Sequence, residues 1–205
     1  MKTNDSRVLG VGALPRTQWS GKPERDSQRS KVYAAENEAF RAYSPKNSEP
    51  TLPRVKDCER FVKKVFASKR VKAAFPRATR EIWGVPRIED GRGCRAARGG
   101  YSFLVLPRWA RRDWVVLHEI AHTITGREVG DVPAHGWQYC TVYLRLVLYV
   151  LGREHHDALK ASFKKHRVRF TEPRKRKPLT AEQRAVLAER LATARAAKAA
   201  AKAAD

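Results

Sequence analysis

The stretch His118-Glu119-Ile120-Ala121-His122 decides how the rest of this sequence is interpreted. Successive residues of an α-helix are rotated by about 100°, so side chains four positions apart share one face, about 6 Å apart along the axis. The two imidazoles can therefore bind one metal ion, with Glu119 beside a water on that ion. Apolar residues surround the motif and predict a packed helix over residues 111–125, with Gly126 just past its end.

A catalytic zinc site needs three protein ligands and one open position, so a third ligand must follow the motif. We expect His135, which comes after Pro133-Ala134 and opens an apolar helix predicted over residues 137–151. Asp131 in the intervening loop and Glu154 beyond that helix remain alternatives. A metzincin would have its third histidine at position 128, which is Glu128 here, so this sequence departs from that pattern.

Other segments predict an α+β fold. Helical periodicity occurs over residues 26–43, 54–66, 68–75, 157–165 and 181–204. Aromatic and aliphatic runs predict strands over residues 80–88 and 100–106, and the glycine-rich loop between them favours a small antiparallel hairpin. This loop carries three arginines: Arg92, Arg95 and Arg98. The predicted order is N-terminal helices, the small sheet, the motif helix, its packing helix and a basic tail.

Composition divides the chain and suggests a class of partner. We expect a disordered N-terminus over residues 1–25, a catalytic domain over 26–168, and a basic linker with an Ala/Lys/Arg-rich helical tail over 169–205. The chain has 43 Lys and Arg against 21 Asp and Glu, a net charge of +22. Such an excess attracts polyanions, so the basic loop and the tail are candidates for non-specific DNA or RNA binding. A charged, solubilising surface explains the same residues equally well.

Two segments together resemble the SprT-like zincins: the His118–His122 motif, and Pro133-Ala134-His135-Gly136-Trp137-Gln138-Tyr139 with its HG-x-x-aromatic pattern. A closer match is a family of metallohydrolases, described by this motif, in actinobacteria and their phages. The similarity extends over roughly residues 25–165. It is carried by three stretches, namely Gln28-Arg29-Ser30-Lys31-Val32-Tyr33-Ala34-Ala35-Glu36, Pro107-Arg108-Trp109-Ala110-Arg111-Arg112-Asp113-Trp114 and His135-Gly136. The resemblance implies a zincin fold and hydrolase chemistry, but no particular substrate.

The function expected from these residues is zinc-dependent hydrolysis, most simply of peptide bonds in a peptide or protein substrate. His118, His122 and His135 are the expected zinc ligands, and Glu119 is the expected general base. The strand over residues 101–106 is the candidate edge that would hold an extended substrate. Tyr139 and Tyr143 are expected to be core residues rather than oxyanion donors. The alternative is a non-catalytic nucleic-acid-binding protein in which zinc only braces the fold.

The remaining features concern the compartment and the surface. Three cysteines (Cys58, Cys94 and Cys140) have no pairing pattern, which fits a reducing compartment. No apolar run is long enough to span a membrane, and the polar N-terminus does not resemble a secretory signal. We therefore expect a cytoplasmic protein, in the host cytoplasm if it is encoded by a phage. The other histidines (His155, His156 and His166) are expected at the surface. The sequence gives no oligomeric state.

Overall fold

The computed structural model describes residues 25–43, 48–171 and 180–204. The chain divides into two compact units, Met1–Glu172 and Pro173–Asp205. The described residues form an α+β fold with seven α-helices and one small sheet. Of the elements in the described residues, six helices and the sheet belong to the first unit and one helix belongs to the second. The three cysteines are free, with Cys58 and Cys140 buried and Cys94 exposed.

The helices follow the predicted periodicity, with shifted ends. They are α1 (Arg29–Phe40), α2 (Val55–Ala67), α3 (Lys69–Ala74), α4 (Asp113–Val129), α5 (Trp137–Val150), α6 (Arg153–Lys165) and α7 (Ala181–Ala204). In the first unit, α4 packs against α5, and α1 packs against α6. None of the described helices combines the length and the apolar character that crossing a bilayer requires.

The sheet is mixed, so the prediction of an antiparallel sheet is wrong. Its strands are β1 (Arg87–Asp90), β2 (Arg98–Gly99) and β3 (Phe103–Leu106), in the order β1-β3-β2. β1 runs parallel to β3, whereas β2 runs antiparallel to it. The hairpin is therefore formed by β2 and β3, and the long loop carries the chain across from β1 to the opposite edge of β3.

Two details explain where the strands differ from their predicted bounds and roles. Residues 81–83, predicted as strand, form a 3-10 turn that ends at Gly84 with a φ of 59°, so the first strand begins only at Arg87. β3 lies in the centre of the sheet, so its backbone is paired on both sides and is not the open edge expected for residues 101–106. The edge beside the motif helix is the two-residue strand β2, too short to give a sequence pattern.

Helix α4 is longer than predicted because Gly126 lies inside it rather than after it. The helix continues to Val129 and ends at Gly130, whose φ is 101°. A Cβ on Gly126 would lie 3.1 Å from the Tyr101 ring. This glycine therefore permits close contact between the helix and the residues that follow β2, and its role is in packing rather than in capping.

One face of α4 is attached to the backbone of residues 99–101. The backbone of Gly99 donates a hydrogen bond to the Glu119 carboxyl group. One turn later, Thr123 Oγ1 donates to the Gly100 carbonyl at 2.7 Å. Another turn on, Arg127 Nε donates to the Tyr101 carbonyl at 2.7 Å. Positions four apart thus hold the sheet edge alongside the helix, at the level of the His-Glu motif.

Candidate metal centre

Three imidazoles converge in the first unit: His118 and His122 from α4, and His135 from the turn before α5. His118 Nε2 lies 3.1 Å from His122 Nε2 and 3.4 Å from His135 Nε2. His118 and His135 are each only 4% exposed. The prediction that these three residues come together is thus confirmed, and they could hold a metal ion.

The spacing of these nitrogens suits a tetrahedral ion. Ligands bound to zinc at 2.0–2.1 Å with tetrahedral angles lie about 3.3–3.4 Å from one another. The Nδ1 atoms of His118 and His135 face carboxylates, so each Nδ1–H is the donor and each Nε2 carries a lone pair. Lone pairs this close repel one another, and a cation between them removes the repulsion. The donor set therefore fits a bound metal ion.

Two carboxylates that the sequence analysis did not assign to the site orient these imidazoles. His118 Nδ1 donates to Glu36 Oε1 at 2.5 Å, and His135 Nδ1 donates to Asp26 Oδ2 at 2.6 Å. Glu36 is 2% exposed and lies on the buried face of α1 with Val32 and Phe40. A carboxylate on an apolar helix face is the signal that could have revealed it, because a buried charge needs a partner. Asp26 lies before α1, which begins at Arg29.

Glu119 lies next to His118 and is 5% exposed. Burial raises the pKa of its carboxyl group to about 7; the charge of Glu36 acts in the same direction, while His118 and the Gly99 hydrogen bond act against it. A carboxyl group with a pKa near neutrality can both accept and release a proton. Burial, the largest effect, lowers the pKa of His118, but the charge and hydrogen bond of Glu36 and the charge of Glu119 together raise it above its usual value.

A cleft of about 340 Å³ opens onto this centre. Its floor includes His118, Glu119 and the first turn of α4, and its walls come from α1 and from residues 95–97 before β2. Tyr33 on α1 forms part of the wall, with its ring centroid 5.5 Å from that of His118 and 5.1 Å from that of His135. Small molecules can therefore approach His118 and Glu119 from one side.

The alternatives for the third ligand lie elsewhere. Asp131 is exposed in the loop after α4 and is not a member of the histidine cluster that could hold a metal ion. Glu154 accepts a hydrogen bond from the Tyr43 hydroxyl at 2.8 Å. Glu128 is buried, and its carboxylate accepts hydrogen bonds from the backbone of Arg77 at 3.0 Å and Ala78 at 2.9 Å. The Glu128 carboxylate therefore stabilises the turn at residues 77–78 and is not available to a metal ion.

The expectation that Tyr139 and Tyr143 belong to the core is confirmed. Both rings are fully buried, and their hydroxyls donate to backbone carbonyls, Tyr139 to His118 at 3.4 Å and Tyr143 to Trp114 at 3.1 Å. Burial raises the pKa of both phenols well above its usual value. Neither hydroxyl is directed towards the cleft as an oxyanion donor.

The prediction of a surface position is wrong for His156, which is 1% exposed. Helix α6 begins at Arg153, four residues earlier than expected, so His156 lies on the same buried face as Leu159 and Phe163. His155 and His166 are half-buried. His166 contacts the Glu38 carboxylate at 2.7 Å.

Comparison of the chain with models of protein families, with curated proteins and with solved structures gives no significant match.

Proposed function

We propose that this protein is a zinc-dependent hydrolase that cleaves peptide bonds, with His118, His122 and His135 as zinc ligands and Glu119 as the general base. The observation that carries the proposal is the convergence of His118, His122 and His135 next to the buried Glu119, with His118 and Glu119 lining one cleft. An ion that only braces a fold needs the histidines but not an acid at this position. The resemblance to SprT-like zincins points in the same direction.

Zinc, when bound, would supply Lewis acidity that activates a water molecule and polarises the scissile carbonyl. The chain's own groups account for the remaining steps. Glu36 and Asp26 keep protons on the Nδ1 atoms of His118 and His135, so both Nε2 atoms remain available as ligands. Glu119 accepts the proton of the attacking water at its carboxylate and passes it to the leaving amine.

The walls of the cleft would orient the substrate. An extended peptide can lie between α1 and residues 95–97. The hydrogen bond from Gly99 fixes the Glu119 carboxyl group relative to β2, which directly follows residues 95–97 in the chain. A substrate seated between these walls would therefore meet the general base in a defined position.

The decisive experiment replaces Glu119 with Gln, which keeps the shape and removes the base. We expect zinc content and melting temperature to stay close to those of the wild type, while hydrolysis of a protein substrate such as casein falls by about 10²–10⁴-fold. Replacing Glu38, an exposed glutamate outside the cleft, with Gln is the control and should leave activity unchanged. Equal cleavage by wild type and Glu119→Gln would exclude this mechanism.

A second candidate is a nucleic-acid-binding protein in which zinc braces the fold. The exposed arginines of α7 (Arg184, Arg190 and Arg195) favour it, together with the net charge of +22. This candidate predicts salt-sensitive binding of DNA or RNA and no change in any measured property on Glu119→Gln. The Glu119→Gln variant therefore distinguishes the two candidate functions.

A further inference from the structure

Two arginines at the mouth of the cleft have no carboxylate partner within the described parts of the chain. Arg29 is the first residue of α1, and Arg95 lies in the loop before β2. Both side chains are exposed, and both line the cleft that contains His118 and Glu119. The guanidinium carbon of Arg29 lies 5.6 Å from the centroid of the Tyr33 ring, which fixes its position at the wall.

The two acidic residues of the cleft, Glu36 and Glu119, do not neutralise these cations, because both carboxyl groups are already hydrogen-bonded elsewhere. Glu36 is bound to His118, and Glu119 is buried and hydrogen-bonded to Gly99. A guanidinium offers a rigid fork of donors that fits a carboxylate with two parallel hydrogen bonds. A ligand with a carboxylate could therefore supply the negative charge that is missing at the mouth of the cleft.

In the groove next to the cleft, the arginines have polar or acidic partners. It has a volume of about 490 Å³ and shares Trp109 with the cleft. Its arginines have partners: Arg92 pairs with Asp90 at 3.4 Å, Arg108 pairs with Glu49 at 3.6 Å, and Arg112 donates to Ser48 Oγ at 2.9 Å. At the metal end, Arg29 is hydrogen-bonded to the uncharged Tyr33 hydroxyl, and neither Arg29 nor Arg95 pairs with a carboxylate of the described residues.

This distribution separates two kinds of anionic ligand. A nucleic-acid strand carries a phosphate at every residue, so its binding path needs cations along its whole length. A peptide with one acidic side chain needs a cation only where this side chain lies. The position of Arg29 and Arg95 in the same cleft as Glu119 fits the peptide.

We propose that the cleft selects peptides with an aspartate or glutamate close to the scissile bond, and that Arg29 and Arg95 recognise this side chain. The proposal rests on the proposed peptidase function, because it takes the cleft as the substrate site. It adds the substrate class and two residues that determine specificity.

Binding by the zinc-loaded Glu119→Gln protein tests the proposal without depending on turnover. The probes are three fluorescently labelled 15-residue peptide pools that differ only at central positions, which hold Asp/Glu, Asn/Gln or Lys/Arg. We expect the acidic pool to bind best, and Arg29→Gln or Arg95→Gln to weaken its binding by about tenfold each, as for the loss of a charged hydrogen bond. Arg92→Gln and Arg108→Gln remove the same charge from the neighbouring groove and should weaken binding less than about twofold.

Three outcomes would overturn the proposal. Equal losses in all four arginine variants would mean that only the overall charge of the protein attracts acidic peptides. No preference for the acidic pool would remove the subsite. Tighter binding of a 15-nucleotide oligo-dT, with the same dependence on Arg29 and Arg95, would assign the arginines to nucleic acid instead. Melting temperatures of the variants show whether each is folded.

The same reagents separate this proposal from the proposed function. If the Glu119→Gln protein binds acidic peptides through Arg29 and Arg95 but the wild type does not hydrolyse them, the subsite is retained and the peptidase function fails. If the wild type hydrolyses the neutral and acidic pools equally, the function is retained and the specificity fails.

Discussion

At the scale of single residues, two carboxylates, Glu36 and Asp26, orient the histidines of the candidate metal centre. Glu36 and Asp26 set the tautomers of His118 and His135 and restrict the rotation of their rings. Partners of this kind preorganise the ligand nitrogens before a metal ion arrives. They also bring two segments far apart in the sequence to one point, because α1 and the turn before α5 both border the centre.

The first prediction concerns stoichiometry. The purified protein should hold about one zinc ion per chain, and His118→Ala, His122→Ala or His135→Ala should each abolish tight binding, because two imidazoles cannot replace a set of three. Elemental analysis after dialysis measures this directly. Asp131→Asn is the control and should retain zinc; the reverse result, with zinc kept in His135→Ala and lost in Asp131→Asn, would assign the third ligand to the loop.

The second prediction concerns the carboxylates. Glu36→Gln and Asp26→Asn keep the size of each side chain and remove its charge, so zinc affinity should fall by about 10–100-fold while one zinc site per chain remains. Competition with a chromophoric chelator gives the affinity. Glu38→Gln, on the exposed side of the same helix, should leave it unchanged. Affinities that match the wild type in Glu36→Gln would show that the hydrogen bond alone, without its charge, is enough.

The histidine triad could be predicted from sequence because its signals are local. The spacing of four residues places His118 and His122 on one face of a helix. His135 lies in the loop that directly follows this helix. Glu36 and Asp26 lie 82 and 109 residues away from the imidazoles that they contact. Only the packing of α1 against the rest of the unit brings them there, and periodicity within α1 does not encode this arrangement.

At the scale of secondary-structure elements, the site depends on how closely β2 approaches α4. A Cβ on Gly99 would lie 2.3 Å from the carbonyl oxygen of Glu119, far inside van der Waals contact and against backbone that cannot move aside. Glycine at this position is therefore what allows the sheet edge to lie on the motif helix. The sequence offered no sign of this contact, because a strand of two residues has no alternation to detect.

The third prediction follows from this contact. Gly99→Ala should separate β2 from α4, lower the free energy of unfolding by about 1–3 kcal/mol, and weaken hydrolysis because the Gly99 hydrogen bond to Glu119 is lost. Chemical denaturation and an activity assay measure the two effects.

Gly93→Ala is the matched control: its φ of 83° makes alanine strained, but no atom lies within 4 Å of the new Cβ. It should cost about 1–2 kcal/mol and leave activity intact. Similar activity in the two variants would mean that the contact between β2 and α4 does not position Glu119.

At the scale of the whole molecule, the first unit and the C-terminal helix have different physical characters. The described core residues lie in the first unit, whereas Val186, Leu187 and Leu191 of α7 are each nearly half exposed. The chain after residue 172 carries nine positive charges: Arg174, Lys175, Arg176, Lys177, Arg184, Arg190, Arg195, Lys198 and Lys202. Helix α7 was predictable from its composition, because alanine, arginine and lysine all favour helix without a packing partner.

The fourth prediction concerns these nine charges. Truncation after Glu172 should leave zinc binding and the melting temperature of the first unit unchanged, because the metal ligands all precede this point. If the segment binds nucleic acid, the full-length protein should lose affinity for duplex DNA steeply with salt, with a log–log slope of about −0.9 per phosphate neutralised. Truncation should flatten this slope. Fluorescence anisotropy at two salt concentrations tests it, and identical binding by both proteins would exclude the segment from a nucleic-acid role.

The buried amide of Gln28 joins the beginning and the end of the first unit. Its Nε2 donates to the His135 carbonyl at 3.0 Å and to the Arg169 carbonyl at 3.2 Å, and its Oε1 accepts from the Arg169 backbone at 2.6 Å. These bonds form only when residues on both sides of the motif helix are present. During synthesis on the ribosome, the nascent chain must therefore extend beyond Arg169 before the metal centre has all its supports. If the three histidines bind zinc as proposed, uptake of the ion would follow translation of the whole unit, and a chain released early would compete poorly for cellular zinc.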